Sequence, residues 1–214
     1  MWIWVEGLTP SVPDGSDEEG GEMGFFTWAA PMFHRADKRW TDDDIEVLAG
    51  WLRPFVGVGG RLLDVGGGTG AVAVRLSRAL DAHVTVLDPT PEMVRYVPTD
   101  AGVEVVLGEA EAMPLADNGF DAIFVNDALH HFRNQSAALG EFARVIRPGG
   151  GVLVLELDPR GLGMHLLAGV ERLLGEPGAF LLPDAMVALM AEHDIAGVCI
   201  ADRGPSYHFL GSAG

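Results

Sequence analysis

Cysteine is almost absent from this chain of 214 residues, and Cys199 is the one example. A single thiol cannot build a disulfide framework or a cysteine-rich zinc site within one chain. Such usage is typical of proteins that work in a reducing compartment, so the cytoplasm is the expected location.

Basic residues are scarce as well. Lys38 is the one lysine, and 14 Lys and Arg stand against 31 Asp and Glu, for a formal net charge of −17. The basic residues are scattered, so no patch is available to attract a phosphate backbone or an anionic membrane surface. We therefore expect no nucleic-acid or membrane partner and interpret the acidity mainly as a source of solubility.

Long hydrophobic runs are missing from the first residues. The stretch MWIWVEGLTP has no basic region and too short an apolar run for a signal peptide or a membrane span. Residues 9–24 are rich in Gly, Pro and acids, which predicts a loop or mobile linker. We expect an N-terminal segment over 1–55, partly mobile and able to act as a substrate lid, and one domain over 56–214.

What the chain does contain, from residue 61 onward, is an alternation of strand and helix patterns. Strands are predicted at 61–66, 83–88, 103–108, 120–127, 151–158, 195–203 and 206–213. Helices are predicted at 41–52, 71–80, 90–97, 135–146 and 183–194. Continuously apolar strands separated by helices predict a parallel sheet with helices on both faces. The last two strands are separated by only two residues, so they must pair as an antiparallel hairpin.

The expected fold class is therefore α/β: a doubly wound, mostly parallel seven-stranded sheet with a C-terminal antiparallel hairpin. Two helix starts support the assignment. Thr41 is followed three residues later by Asp44, in the arrangement of a capping box. Thr90 is a predicted N-cap, with Pro91 at the first helical position.

The stretch LLDVGGGTGAV, residues 62–72, carries four glycines between the first strand and the following helix. Glycine permits positive φ and lets a ligand approach the backbone closely. In doubly wound folds a turn at this place binds nucleotides. The spacing D-x-G-x-G-x-G differs from the dinucleotide pattern G-x-G-x-x-G, and no lysine follows to make a phosphate-binding loop. The turn alone leaves open a nicotinamide cofactor, or a tight turn that binds nothing.

Four stretches, taken in order, carry a more specific signal. Residues 62–70 resemble motif I of the class I S-adenosylmethionine-dependent methyltransferases, and 84–94, 108–132 and 144–158 resemble later parts of that family. The resemblance implies the Rossmann-like methyltransferase fold, with S-adenosylmethionine as cofactor and S-adenosylhomocysteine as product. The closest subgroup comprises small-molecule methyltransferases similar to the ubiquinone and menaquinone biosynthesis enzymes. Where their N-terminal segment has Tyr-Asp, residues 33–34 here are Phe-His.

The resemblance also implies a set of cofactor contacts at the ends of the first four strands. They are Asp64, Gly66, Gly67, Gly68, Asp88, Pro89, Glu109, Ala110, Glu111 and Asn126. The first four hold the methionine end, and Asp88 accepts from the ribose hydroxyls with Pro89 beside it. Glu109 or Glu111 contacts the adenine amine, and Ala110 and Met113 provide an apolar wall. Asn126 and Asp127 face the sulfonium and the substrate.

Two histidines are the candidate catalytic residues. His130 and His131 directly follow the fourth strand, and either imidazole is a candidate general base for a substrate hydroxyl, thiol or amine. A histidine pair here can equally pack or cap the next helix, so both interpretations stay open. With Asn126 and Asp127 these side chains form an oxygen-and-nitrogen cluster. The pattern of metal-dependent methyltransferases is not matched, however, and no metal is expected.

The resulting hypothesis is a methyltransferase acting on an O, N, S or C atom of a small apolar or aromatic molecule. The alternative is a non-catalytic methyltransferase-like domain that binds the cofactor or a partner. An oxidoreductase with a Tyr-x-x-x-Lys pair is disfavoured, because neither Tyr96 nor Tyr207 has that spacing to Lys38. The acceptor atom and the formation of a homo-oligomer are left open.

Overall fold

The computed structural model describes residues 30, 31, 34, 40–98, 102–161, 164–173, 175, 177–201 and 206–214. The loop predicted over 9–24 lies outside the described residues, as does most of the segment predicted to act as a lid. Within the described ranges, every helix is too short or too polar to cross a membrane.

Seven strands and six helices make up the described part of the fold. The strands are β1 (Arg61–Val65), β2 (His83–Asp88), β3 (Val103–Leu107), β4 (Phe120–Asn126), β5 (Ile146–Leu157), β6 (Ile195–Ala201) and β7 (Ser206–Ala213). The helices are α1 (Asp42–Leu52), α2 (Ala71–Leu80), α3 (Pro91–Val94), α4 (Gln135–Val145), α5 (Met164–Leu173) and α6 (Pro183–Ala191). A short 3₁₀ turn at Leu129–His131 follows β4.

All seven strands belong to one sheet, in the order β3-β2-β1-β4-β5-β7-β6. The first five strands are parallel, whereas β7 is antiparallel to both β5 and β6. This confirms the doubly wound sheet and the terminal hairpin. The strand order reverses at β1, because β2 lies on one side of it and β4 on the other. Ligands bind at such a switch point, beyond the carboxyl ends of the strands.

Helices cover both faces of the sheet and enclose two apolar clusters. On one face α1 and α2 place Leu48, Leu52 and Leu76 against Val84 and Phe124. On the other face α4 and α6 supply Leu139, Phe142, Met186 and Met190 to the second cluster. The central strands are therefore buried on both sides, which is why their sequences are apolar without alternation.

The two predicted helix starts have different outcomes. The Thr41 Oγ1 accepts a hydrogen bond from the Asp44 amide at 3.2 Å, and the Asp44 Oδ2 accepts from the Thr41 amide at 2.8 Å. This confirms the capping box of α1. Thr90 is the N-cap of α3 and Pro91 its first residue, as predicted, but the Thr90 side chain makes no capping hydrogen bond. The Thr90 amide donates to the Asp88 Oδ1 at 2.8 Å. The helix α3 ends at Val94, earlier than the predicted residue 97.

Strand β5 begins five residues earlier than the sequence indicates. Residues 147–150 were predicted to end the preceding helix, but they belong to β5. The register of the pairing with β4 shifts between Phe120 and Ala122. The Arg147 Nε donates to the Asp121 Oδ1 at 2.6 Å, which ties this Pro-Gly-Gly segment to the neighbouring strand. A contact between residues 26 positions apart has no signature in hydrophobic periodicity.

Candidate functional site

The glycine turn between β1 and α2 has the backbone conformation that its composition predicts. Gly66, Gly68 and Gly70 have φ angles of 70°, 54° and 71°, in the left-handed region that favours glycine. A Cβ atom at Gly66 would lie 2.5 Å from the Ala128 Cβ, and one at Gly68 would lie 2.9 Å from the Met93 Cε. The contact with the Ala128 Cβ excludes a side chain at Gly66. At Gly68 the flexible end of Met93 can move aside, so the positive φ angle is what disfavours a side chain there.

Asp88, the last residue of β2, ties that strand to the glycine turn. Its Oδ2 accepts from the Gly68 amide at 3.0 Å and its Oδ1 from the Thr90 amide at 2.8 Å. Burial raises the pKa of this carboxyl, the amide bonds oppose the rise, and the charge of Glu109 adds to it. Each carboxylate oxygen keeps a second lone pair, so Asp88 can hold the turn and still accept from ligand hydroxyls. Pro89 follows and is exposed.

Asp64 lies in β1 against the inner side of the turn and is 2% exposed. A Cβ atom at Gly67 would come within 2.7 Å of its Cγ, so the carboxyl group packs directly on the turn. Burial raises the pKa of Asp64 to about 7, and the neighbouring Asp88 carboxyl contributes to the rise. A buried carboxyl of this kind favours a cationic ligand group, because a nearby positive charge stabilises its ionised form.

An apolar wall follows β3. Ala110 and Met113 are both buried in the cluster that contains Leu87 of β2. Ala110 is therefore an apolar, buried residue next to β2, and its contact with an adenine ring stays a prediction.

The two predicted glutamates on either side of Ala110 have different neighbours. The Glu111 Oε1 accepts from the Asn134 amide at 3.0 Å, which ties the loop to the start of α4. Glu109 is instead close enough to Asp88 for its charge to affect that carboxyl. Glu109 is thus the glutamate that lies beside the predicted ribose-binding residue.

Arg144 of α4 anchors the loop that carries this wall. Its guanidinium donates to the carbonyls of Met113 and Leu115, at 3.0 and 2.7 Å. It also pairs with the carboxylates of Glu141 and Asp117, at 2.7 and 2.6 Å. Glu141 in turn accepts from the Met113 amide at 2.7 Å. The loop conformation therefore depends on a polar network, not only on apolar packing.

Asn126 and Asp127 end β4 at the same edge of the sheet. The Asp127 amide donates to the Leu155 carbonyl of β5 at 2.9 Å, and the residue has a φ angle of 52°. Asn and Asp adopt this left-handed conformation more readily than other residues with side chains. The bond to β5 therefore holds both polar side chains beside the gap between the two strands.

His130 is buried behind this edge and is held by Glu156. Its Nδ1 lies 2.8 Å from the Glu156 Oε1, and its amide donates to the Glu156 Oε2 at 3.2 Å. The ring stacks on Phe180, with centroids 4.1 Å apart. Sequence analysis missed Glu156, although an acid within the apolar run VLVLEL of β5 is the signal that could have revealed it.

His131 packs against His130, with ring centroids 3.9 Å apart. Burial, together with the charge of His130, lowers the pKa of His131 to about 3. An imidazole with such a pKa stays neutral near pH 7 but is a weak base. The two predicted bases therefore differ, since the Glu156 carboxylate orients the His130 ring at 2.8 Å, whereas the pKa of the His131 ring is strongly lowered.

A mixed group of donor atoms lies at the junction of β4 and β5. Asp127, His130 and Glu156 each offer one ligand atom, and these atoms lie within 4.8 Å of one another. The group differs from the sequence-derived cluster, because Glu156 joins Asp127 and His130 in it. The hydrogen bond between His130 and Glu156 accounts for most of this proximity without an ion, so the absence of a metal stays a prediction.

An open cleft of about 790 Å³ lies between α1 and the ends of β4, β5 and β7. Its lining combines aromatic, aliphatic and acidic side chains. These residues are Trp40, Asp44, Val47, Leu48, Trp51, Asn126, Asp127, Leu155, Glu156, Leu157, Ile200, Ser206 and His208. The cleft shares Asn126 with the predicted cofactor contacts, so the two regions adjoin.

Comparison with known sequences identifies the domain. The family described as Methyltransferase domain matches residues 63–154, from β1 into β5. The ubiquinone/menaquinone biosynthesis C-methyltransferase of Dinoroseobacter shibae is 39% identical over 121 residues, covering 53% of this chain and 48% of that protein. Its counterpart from Cereibacter sphaeroides is 33% identical over 164 residues, covering 69% and 63%. The chain spans about half the length of the first of these curated relatives.

Solved structures show the same fold. A Thermotoga maritima protein described as an S-adenosylmethionine-dependent methyltransferase, possible histamine N-methyltransferase, superposes with a TM-score of 0.70 at 20% identity, covering 88% of this chain and 98% of that one. A methyltransferase from Aquifex aeolicus gives 0.61 at 20% identity, covering 82% and 100%. At this level of identity the likeness concerns the fold alone.

Proposed function

Because this chain carries a class I S-adenosylmethionine-dependent methyltransferase domain, we propose that it transfers a methyl group from S-adenosylmethionine to a small apolar or aromatic molecule. The observation that carries the proposal is the bond from the Gly68 amide to Asp88. It joins a turn that excludes side chains to a carboxylate with spare acceptor capacity. Such a cradle suits a nucleoside with two ribose hydroxyls.

We assign the predicted contacts along this cradle. Asp64, with the backbone of Gly66, Gly67 and Gly68, would hold the cationic methionine end, which its buried carboxyl favours. Asp88 would accept from the ribose hydroxyls, beside the exposed Pro89. The adenine would lie on Ala110, with Glu109 nearer than Glu111, and Asn126 would face the sulfonium.

When bound, S-adenosylmethionine supplies a methyl group that its sulfonium has already activated. The task of the protein is then to align an acceptor and exclude water. The cleft that adjoins Asn126 is the place for the acceptor. Its aromatic and aliphatic wall residues suit a small apolar or aromatic substrate.

Of the two candidate bases, we favour His130 over His131. An ionised Glu156 only accepts, so the hydrogen shared at 2.8 Å belongs to the His130 Nδ1 and a neutral ring has its lone pair on Nε2. The buried carboxylate thus selects the tautomer, as it does in other catalytic histidine pairs. The low pKa of His131 suits a packing role.

Calorimetry tests the proposal. The protein is titrated with S-adenosylmethionine, S-adenosylhomocysteine and, as a control, NADH; we expect micromolar binding of the first two only. Asp88→Ala should abolish this binding, whereas Glu104→Ala, which removes an exposed acid from β3, should leave it unchanged. If neither sulfur compound binds, the chain is a methyltransferase-like domain that holds a partner.

The curated relatives suggest the first acceptors to assay. Their names describe C-methylation in ubiquinone and menaquinone biosynthesis, so quinone precursors should be incubated with the protein and S-adenosylmethionine. Methylated product, detected by mass spectrometry, would establish turnover. Its absence with these precursors would turn attention to other small molecules that fit the cleft.

A further inference from the structure

On the basis of the proposed function, we propose that the cleft beside Asn126 takes a small molecule with an aromatic or aliphatic body and a cationic amine. This substrate class differs from a neutral quinone precursor. It is indicated by the way the cleft distributes its apolar and charged side chains.

The cleft has aromatic and aliphatic walls. Trp40 and Trp51 line it together with Leu48, and Val47 and Ile200 remain 53% and 43% exposed at its surface. Such exposure of large apolar side chains around a concave site is typical of ligand binding. The walls therefore favour a ligand with an apolar body.

Two contacts hold the aromatic wall in place. The Arg75 Nη1 donates to the Trp40 carbonyl at 2.6 Å, which ties this residue to α2. The Trp51 ring meets the His208 ring edge to face, with centroids 4.8 Å apart. The first contact fixes the Trp40 backbone and the second fixes the Trp51 ring, and the face of a Trp ring attracts a cation more strongly than that of Tyr or Phe.

The charges in the cleft are mainly negative. Asp44, Asp127 and Glu156 all line it, and His208 is the one described lining residue able to carry a positive charge. The hydrogen bond from the Thr41 side chain is the main cause that lowers the pKa of Asp44, so this carboxyl stays ionised at neutral pH. An anionic ligand would meet repulsion here.

Two of these acids lie close together. Donor atoms of Asp127 and Glu156 are within 4.8 Å of each other, with His130 beside Glu156. The Glu156 oxygens already accept from the His130 and Leu157 amides and lie against the His130 ring. Asp127 is therefore the exposed carboxylate of the pair, the one that a ligand cation can approach. A neutral alcohol of the same shape gains nothing comparable. The amine is a recognition group in this arrangement, and the methyl acceptor is a separate feature of the substrate.

Three probes of nearly the same shape test the charge preference: tryptamine, tryptophol and indole-3-acetate. Each is titrated by calorimetry into the protein with and without saturating S-adenosylhomocysteine. We expect tryptamine to bind at least tenfold more tightly than tryptophol, and indole-3-acetate to bind weakest. Equal binding of the three, tighter binding of the neutral or anionic probe, or no binding of tryptamine would overturn the inference.

Matched variants locate the charge. Asp127→Asn should weaken the binding of tryptamine about tenfold, because the charge is removed. The binding of tryptophol should not change, because asparagine tolerates the same left-handed backbone. Asp81→Asn is the control, since Asp81 is also exposed and has a φ angle of 51° but lies at the end of α2. Asp44→Asn should weaken the binding of tryptamine less than Asp127→Asn does. Because Asp44 also belongs to the cap of α1, Thr41→Ala, which removes the cap and keeps the charge, distinguishes the two effects. An equal loss for tryptophol in Asp127→Asn would contradict the assignment.

Two further readouts separate the possible failures. Binding of S-adenosylhomocysteine without a preference for tryptamine would refute the amine and leave the methyltransferase proposal intact. A preference for tryptamine without S-adenosylhomocysteine binding would refute the methyltransferase proposal and leave the amine preference intact. Mn²⁺, titrated alone, should not bind tightly; if it binds and displaces tryptamine, the acids are metal ligands and the inference is wrong.

Discussion

Two regions share one edge of the sheet and are built in different ways. The glycine turn and its partners come from β1, β2 and the loops that follow them, and the backbone supplies the key features. The adjoining cleft is built from side chains of α1, β4, β5 and β7. A region made of backbone tolerates almost no change in conformation, whereas a region made of side chains can change its chemistry while the fold stays the same.

This difference suggests a division of labour. The turn can hold a nucleoside of constant structure through amides and Asp88. The cleft can be retuned for a new acceptor by exchanging residues such as Asp127 or Trp51, which leave the sheet intact. Functions grafted on common folds vary in this way.

The largest effect is expected from a substitution in the glycine turn. Gly66→Ala should abolish cofactor binding and lower the free energy of unfolding by about 3 kcal/mol, because left-handed strain and a clash add together. Urea unfolding and calorimetry measure both effects.

Gly59→Ala is its control. Gly59 has a φ angle of 72° but nothing within 4 Å of an added Cβ, so only strain of about 1–2 kcal/mol is expected. Equal effects of the two variants would show that the contact with Ala128 does not matter.

The next effect concerns the loop between the two regions. Arg144→Met should cost about 2 kcal/mol of stability, because charged hydrogen bonds to the loop are lost. It should also weaken cofactor binding by releasing Ala110 and Met113. Arg53→Met is the comparison, since its exposed pair with Glu46 should contribute less than about 1 kcal/mol. Denaturant melts of both proteins check the order.

Measurements over a range of pH test the role of the buried Asp64 carboxyl beside the glycine turn. Burial raises the pKa of Asp64 from its ordinary value of 3.8 to about 7 in the folded protein. Its protonated form therefore contributes stability that is full below the unfolded pKa and is lost as pH rises through about 7.

A cationic methionine end should reverse that preference and release a proton on binding. Affinity for S-adenosylhomocysteine should therefore rise with pH up to about 7, by at most about tenfold per unit. Calorimetry between pH 5.5 and 8 tests this, and Asp64→Asn should flatten the curve. A steep pH dependence that persists in Asp64→Asn would assign the proton to another group.

The smallest expected effect lies on the cleft side. Thr41→Ala removes the cap of α1 and should cost about 1 kcal/mol of stability. The helix packs through Leu48 and Leu52 and should remain in place, so cofactor affinity should not change. A fall in that affinity would show that the two regions are less independent than their construction indicates.

The same contrast explains what sequence analysis could predict. The strands, most helices and the positive φ angles of the turn follow from local patterns, because periodicity and glycine spacing act over a few residues. The partnership of Glu156 with His130 joins residues 26 positions apart, and the cleft brings Trp40 near His208. Such contacts depend on how elements pack, which one sequence does not reveal.

Strand β7 lies between β5 and β6 in the sheet, although it is the last of the seven to be synthesised. A nascent chain can complete β1 to β5 while one edge of β5 still exposes unpaired backbone groups, which favour wrong association. The cleft cannot form until Ser206 and His208 arrive beside β5. Mutations that slow the docking of this late strand should therefore reduce the yield of folded protein more than its final stability.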